Sequence, residues 1–80
     1  MTKKDIDNIL GKCDDYYSIK VSSIQIGNDP FFDGYIFVHN KQIEIKTEGM
    51  EWKWGLKLDE IIGFTSAMLL FRGGIITFKI

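Results

Sequence analysis

The chain has 80 residues, of which 45% are hydrophobic, 14% aromatic and 26% charged, and its formal net charge is −1. This length allows one domain, 1–80, and an ordinary globular composition rich in large rings excludes a disordered chain. The near-neutral charge lacks the positive excess that is typical of nucleic-acid-binding domains, and therefore disfavours that class.

The cysteine content and the N-terminus indicate a cellular location. The chain has one cysteine, Cys13, and its N-terminus has no apolar leader. A lone cysteine forms no internal disulfide, and a small secreted domain usually carries several. No apolar run approaches the ~18 residues that span a bilayer. We therefore expect a soluble, cytoplasmic protein with no membrane span.

The N-terminal segment has helical periodicity. The apolar residues that recur at this spacing are Ile6, Ile9, Leu10 and Cys13. They predict a helix over about 2–13, with Thr2 as N-cap and Asp5 completing a weakened capping box. The apolar stripe is narrow, so the helix should lie on a sheet, with Cys13 as a buried, inert thiol.

From Tyr16 the apolar period changes to two, which predicts a β-rich region over about 16–80. The apolar residues move from odd to even positions across Ser22-Ser23, and this slip predicts a bulge or a sharp bend. Residues 27–30 have the composition of a turn. The strand that follows, 31–39, is apolar on both faces, which is typical of a strand buried on both sides or of one covered by the helix.

The clearest pattern is a hairpin formed by the next two strands. A four-residue loop would set Ile45 opposite Trp54 and Ile43 opposite Leu56, with these side chains and Trp52 pointing inward. On the outer face, this register would pair Lys46 with Lys53 and Gln42 with Lys57. Core packing is therefore favoured over nucleic-acid stacking for both tryptophans.

The C-terminal third contains the least regular pattern. Residues 59–63 interrupt the alternation, and 64–71 read as one hydrophobic strand. Gly73-Gly74 predicts a tight turn before the last strand, 75–80. No residue follows to cover its edge, so this strand should be held in the sheet or paired with another subunit. The predicted fold class is mostly β, a small antiparallel barrel or split barrel of about six strands with one N-terminal α-helix.

Four segments in the last fifty residues carry a family resemblance. They are Phe32-Asp33-Gly34, Ile43-Glu44-Ile45, Leu58-Asp59-Glu60-Ile61 and Leu70-Phe71-Arg72-Gly73-Gly74-Ile75-Ile76-Thr77-Phe78. In this order they resemble bacterial PH-like domains of the kind associated with SHOCT helices. The chain lacks the last strand and C-terminal helix that plug a complete PH barrel. The resemblance thus implies that the N-terminal helix or a second copy takes their place.

A second resemblance competes with the first. Leu70-Phe71-Arg72-Gly73-Gly74-Ile75-Ile76 is similar to the second motif of Sm-like domains, and an N-terminal helix before bent strands also fits. The first motif of that family is not recognisable. Asp33-Gly34 and His39-Asn40 are the only candidates for it, and their spacing is wrong. This resemblance implies a nucleic-acid-binding ring in which Arg72 is the residue to test.

No residue pattern predicts catalysis, a metal site or a cofactor. His39 stands alone, and one histidine with one cysteine is not a ligand set. The acids at 14–15, Asp29 and Asp33 match no calcium-loop spacing, and Asp59-Glu60 is favoured as the cap of a short turn. The serines lie in no nucleophile motif. We therefore expect no enzyme, no bound metal and no cofactor.

Two sets of surface residues are candidates for binding. Adjacent aromatic residues cannot all face one core from an extended strand, which gives the protein-interaction candidates Phe31, Phe32, Tyr16 and Tyr17. The candidates for contact with an anion or a nucleic acid are Lys46, Lys53, Lys57 and Arg72. We expect a non-enzymatic protein-interaction or adaptor module that binds another protein or itself, at least as a dimer. The alternatives are an Sm-like nucleic-acid-binding ring and a phage-type inhibitor of a host protein.

Overall fold

In a computed structural model of the chain, which describes residues 1–11 and 16–79, one helix precedes seven strands. The elements are α1 (Lys3–Gly11), β1 (Tyr17–Ile26), β2 (Phe32–His39), β3 (Gln42–Thr47), β4 (Trp52–Lys57), β5 (Ile61–Phe64), β6 (Met68–Phe71) and β7 (Gly74–Phe78). A single 3-10 turn, Leu58–Glu60, joins β4 to β5.

The strands form one antiparallel sheet in the order β4-β3-β2-β1-β7-β6-β5. Two meanders, β1 to β4 and β5 to β7, meet where β1 pairs with β7. The prediction of a mostly-β fold with one N-terminal helix is confirmed. Among the described residues no pairing joins β4 to β5, so the sheet is not closed into a barrel, and it has seven strands where about six were predicted.

Helix α1 begins with the capping box that the sequence predicts. The Thr2 amide donates to Asp5 Oδ2 at 3.0 Å, and the Asp5 amide donates to Thr2 Oγ1 at 3.1 Å. These hydrogen bonds satisfy two donors that the first turn leaves free, and they lower the pKa of the Asp5 carboxyl. The helix inserts Ile6 and Ile9 into buried positions. Cys13, predicted as a buried thiol, lies outside the described residues.

The predicted bulge in β1 is confirmed at Ser22-Ser23. The register with β2 slips between Val21 and Ile24, and Ser23 has φ 58°. The amide of Ser23 donates to Asp33 Oδ1 at 3.0 Å, and its carbonyl accepts from the amide of Lys79 at 2.9 Å. The bulge is therefore fixed by both neighbouring strands, and Asp33 has a structural role as its cap.

The β3–β4 hairpin has the predicted register along most of its length. Gln42 pairs with Lys57, Ile43 with Leu56 and Ile45 with Trp54. A second bulge then sets Trp52, where Lys53 was predicted, opposite Lys46. The inward orientation predicted for Trp52 is therefore wrong, because one extra residue turns its side chain to the outer face.

The predicted strand 64–71 is in fact a hairpin. Strand β5 already begins at Ile61, inside the predicted interruption, and pairs with β6. Thr65 closes the loop between them, because its Oγ1 accepts from the amides of Ala67 and Met68 at 3.2 Å each. The turn is made by a side chain in a segment without glycine or proline, and so the composition gave no turn signal.

The last strand has two neighbours. Strand β7 pairs with β1 on one side and β6 on the other, so of the two expected alternatives the final strand is held in the sheet. The turn before it is formed by Arg72 and Gly73, one residue earlier than predicted, because Phe71 pairs with Gly74. Within the described residues, the strands with one free edge are β4 and β5.

One core occupies the concave face of the sheet. Its buried members come from α1 and from every strand except β5: Ile9, Val21, Ile24, Ile36, Val38, Ile43, Ile45, Leu56, Leu69, Phe71, Ile76 and Phe78. The sheet curls strongly, since the rings of Trp54 on β4 and Phe71 on β6 lie 6.2 Å apart between centroids. The curl leaves an open seam between β4 and β5, beside which the candidate site lies.

Candidate protein-interaction site

A cleft of about 350 Å³ lies between the β1–β2 loop and the start of β4. Its lining residues are Ile26, Asp29, Pro30, Phe31, Phe32, Lys53 and Trp54. Three of these, Phe31, Phe32 and Lys53, were predicted from the sequence as binding residues. The structure therefore brings together members of both predicted sets at one place.

The β1–β2 loop holds one wall of this cleft. Gly27 adopts φ 59°, which glycine reaches without strain, and the amide of Asp29 donates to the carbonyl of Ile26 at 3.1 Å. Pro30 then fixes its own backbone angle ahead of Phe31, whose side chain is 45% exposed. Phe32 is half-buried and packs against the core. An exposed ring is thus presented from a restrained loop, which lowers the entropy lost on binding.

The opposite wall comes from β4. Trp54 points to the concave side, as its pairing with Ile45 predicts, but 39% of its surface stays exposed. The reason is the open seam: in a closed barrel a neighbouring strand would cover this ring. Trp54 and Phe31 therefore form two aromatic walls of the cleft, and a side chain of a partner can enter the space between them.

Two lysines hold positive charge at the cleft. Lys53 Nζ lies 5.8 Å from the ring centroid of Phe32, and Lys79 Nζ lies 5.9 Å from that of Phe31. Both distances fall within the range of a cation–π interaction. Asp29 is the one acid among the described residues that line the cleft. The cleft is therefore aromatic with a small positive excess.

The other predicted aromatic pair lies elsewhere. Tyr17 pairs with Val38, at the opposite end of the β1–β2 ladder from Phe32, and packs against the core. Tyr16 is 64% exposed, and its ring lies 5.7 Å from that of Phe37 on the outer face. The structure thus separates the tyrosines from the phenylalanines, and only Phe31 and Phe32 belong to the cleft.

The four predicted basic residues do not form one patch. Lys46 lies over the outer-face ring of Phe37 at 5.1 Å and 3.8 Å from Glu44 Oε1. Lys57 lies at the far end of β4 from Lys53, and Arg72 is an exposed residue of the β6–β7 turn. Lys46 and Arg72 therefore lie apart from Lys53 and Lys57, which are near opposite ends of β4.

The remaining polar candidates have structural partners. His39 Nε2 lies 3.1 Å from Glu44 Oε2, and Glu60 accepts a hydrogen bond from the amide of Lys57 at 2.8 Å, in the capping role predicted for Asp59-Glu60. On the outer face, a hydrogen bond to Glu48 raises the pKa of the Lys20 ammonium. Within residues 1–11 and 16–79, no cluster of three or more histidine, cysteine, aspartate or glutamate side chains could hold a metal ion. Asp14-Asp15 lies outside that part of the chain.

Sequence reasoning missed two residues of the site. Trp54 was placed in the core, and no sequence signal shows that the barrel stays open beside it. Lys79 alternates with the inward-facing residues of the last strand, so the orientation of its side chain toward the outer face was predictable. Its position over Phe31 was not, because it depends on the pairing of β1 with β7.

The chain matches no protein-family model, no curated protein and no solved structure. No helix in the described part of the chain is long and apolar enough to cross a membrane.

Proposed function

We propose that the protein is a non-enzymatic interaction module that holds a segment of another protein in the cleft formed by Phe31, Phe32, Lys53 and Trp54. The observation that carries this proposal is the exposure of two large rings, Phe31 and Trp54, on facing walls of one cleft. Aromatic residues in a partly enclosed pocket are the groups that dominate binding energy at protein interfaces. An inhibitor of a host protein is one form of this function, and the lone cysteine supports a cytoplasmic setting.

Selection from a random-peptide display library tests this function and needs no identified partner. We expect selected peptides to bind the Phe31→Ala and Trp54→Ala variants at least about tenfold more weakly than the wild type. Tyr16→Ala is the matched control, because it removes an exposed ring at the other end of the sheet and should leave affinity unchanged. Circular dichroism of each variant verifies that the fold is intact. Failure to select any peptide contradicts the proposal. So does a result in which the selected peptides bind both cleft variants as tightly as the wild type.

Self-association at β5 is a second candidate, favoured by one specific observation. This edge strand, Ile61–Phe64, contains no charged residue, and Ile62 is 69% exposed on it. Uncharged, apolar edges are the ones that pair with other chains. The dimer or larger oligomer expected from the sequence would then form at β5, not at the final strand.

The PH-like and Sm-like resemblances stay predictions, as does nucleic-acid binding. The test of the Sm-like alternative is binding of a single-stranded oligonucleotide at low ionic strength, compared between the wild type and Arg72→Ala. An affinity that falls with salt and with this substitution would support it. No binding at low salt would remove it.

A further inference from the structure

The free edge of β4 borders the cleft, and the hairpin geometry identifies its main-chain groups. Asn40 and Lys41 have φ of 49° and 61° and form a two-residue turn, so His39 and Gln42 are a hydrogen-bonded pair. Because bonding alternates along a strand, the main chain of Ile43 and Ile45 faces β4. The main chain of their partners on β4, Leu56 and Trp54, therefore faces β3. The N–H and C=O of Gly55 and Lys57 must then point away from the sheet.

Glu60 supports this assignment and limits the free edge. Its Oε2 accepts from the amide of Lys57 at 2.8 Å, so that outward N–H is already satisfied at one end of β4. The indole of Trp52 lies over the outer face of Gly55, where a Cβ would be 3.6 Å from Trp52 Cζ2. The unpaired main-chain groups next to the cleft are therefore the N–H and C=O of Gly55.

Charge disfavours a second copy of the chain at this edge. Strand β4, with the sequence Trp52-Lys53-Trp54-Gly55-Leu56-Lys57, carries two lysines and no acid. Pairing two copies would bring four lysines along one seam, and like charges on neighbouring strands are destabilising. Lysine on an edge strand is a common means of preventing self-pairing. Because the Glu60 carboxylate lies beside Lys57, the charge on this edge that favours a strand with acidic outward residues is that of Lys53.

We propose that the partner segment is an extended acidic strand that pairs with the free edge of β4 at Gly55, with an acidic side chain near Lys53 and an apolar side chain in the aromatic cleft. This inference rests on the proposed function and names the chemistry of its partner. Main-chain hydrogen bonds supply the affinity, and alternate side chains supply the specificity, as in other strand additions. Lys79, held over Phe31, adds a third positive charge beside the cleft.

The probes are two seven-residue synthetic peptides, Glu-Val-Glu-Ile-Glu-Val-Glu and the same sequence with lysine at each glutamate. We expect the acidic peptide to bind at least about fivefold more tightly at low ionic strength, with the preference decreasing as salt is added. The double variant Lys53→Glu with Lys57→Glu should reverse the preference. A variant with Lys4→Glu, a charge change at an exposed residue of α1, is the control and should keep it.

Hydrogen exchange and backbone methylation test the strand geometry itself. The Gly55 amide should exchange rapidly in the free protein and slow on addition of the acidic peptide. Methylating the peptide nitrogens at one alternate set of residues should abolish binding, while methylating the other set should not.

The possible outcomes distinguish failure of the acidic-strand inference from failure of the proposed function. Library peptides that depend on Phe31 but leave the Gly55 amide unprotected, or bind regardless of their charge, would overturn the acidic strand and leave the interaction module standing. A free protein that is dimeric with Gly55 already protected would show that a second copy occupies the edge, which also overturns the inference. If no selected peptide bound in a way that depends on Phe31 or Trp54, the proposed function itself would be overturned.

Discussion

Gly34 shows how a single residue constrains the centre of the sheet. It lies on β2, paired with Val21 on one side and Thr47 on the other. A Cβ added to Gly34 would collide with the carbonyl oxygen of Lys46 and come within 3.2 Å of the ring of Phe32. Only a residue without a side chain lets β2 and β3 pair at this separation while Phe32 stays against the core.

Substitution of Gly34 therefore has a definite expected cost. Gly34→Ala should lower the free energy of unfolding by about 1–3 kcal/mol, because the clash involves backbone that cannot move independently. Urea denaturation measures this difference. Gly49→Ala is the control, since the nearest atom to a Cβ there is Thr47 Oγ1 at 3.9 Å. Equal stability of the two variants would mean that β3 shifts freely to accommodate the methyl group.

Asp5 gives the helix a pH dependence. Hydrogen bonds from Thr2 lower the pKa of its carboxyl, so the folded state holds the ionised form more strongly than the unfolded state does. The stabilisation is complete above the ordinary aspartate pKa of about 3.9 and disappears as pH falls through the lowered value. Because Asp5 remains partly exposed to solvent, we expect Asp5→Asn to cost less than about 1 kcal/mol near pH 7.

The pH profile of the difference between wild type and Asp5→Asn measures this effect. The difference in unfolding free energy should be constant from pH 7 to about 5 and approach zero below the folded-state pKa. Asp7→Asn, on the same helix, is the matched control. A difference that grows toward acidic pH would contradict the assigned capping role of Asp5.

At the scale of elements, local alternation predicted most of the sheet, and single extra residues account for the errors. The register of Ile43 and Ile45 with β4 followed from period-two patterning and loop length. The side chain of Trp52 lies on the outer face, opposite to the prediction, because a bulge inserts one residue into β4. Neither Trp52 nor Lys53 is a residue type that indicates a bulge. The Thr65 turn was missed for a related reason, since a threonine side chain replaces the glycine that usually marks a turn.

The candidate site was predictable only in part, because it depends on contacts distant in sequence. Phe31 and Phe32 stood out as adjacent rings that could not both face the core, and the structure confirms that one is exposed and one half-buried. Their proximity to Trp54 depends on the curl of the sheet. The exposure of Trp54 depends on the open seam, which no local pattern in the chain encodes.

The β5 edge provides the prediction at this scale. We expect the wild-type chain to self-associate at high concentration, and Ile62→Lys to shift it toward the monomer, because a charge on an edge strand opposes pairing. Sedimentation equilibrium measures both. Met50→Lys is the control, since it makes a similar change at an exposed side chain in the β3–β4 loop. A wild type that is monomeric at every concentration would remove β5 as an interface.

At the scale of the whole molecule, the two meanders depend on one junction. Strand β1 pairs with β7 through Ile24 with Phe78, Gln25 with Thr77 and Ile26 with Ile76, which joins residues about fifty positions apart. Ile24 and Ile76 are fully buried, so the junction lies inside the common core. Such long-range pairing costs loop-closure entropy before it is stabilised, which predicts folding slower than that of a helical chain of this size.

Phe78 tests whether the meanders unfold together. It is 3% exposed, and its ring lies 6.1 Å from that of Phe64. Phe78→Ala should cost about 3–5 kcal/mol and lower the midpoint of thermal unfolding by more than about 10 °C. Both tryptophans lie on β4 in the other meander, and the ring of Trp54 also lies near that of Phe71 on β6. Their fluorescence therefore reports on the first meander and on its contact with the second.

If the core is one cooperative unit, tryptophan fluorescence and far-ultraviolet circular dichroism should show the same lowered midpoint for Phe78→Ala. Leu70→Ala is the control, because Leu70 lies on neighbouring β6 but is 38% exposed, and its loss should shift both midpoints much less. A fluorescence transition unchanged by Phe78→Ala, with circular dichroism shifted, would mean that β1–β4 unfold independently of β5–β7. In that case unfolding of β5–β7 would break the β1–β7 junction and leave β1–β4 folded, with β1 as a new free edge.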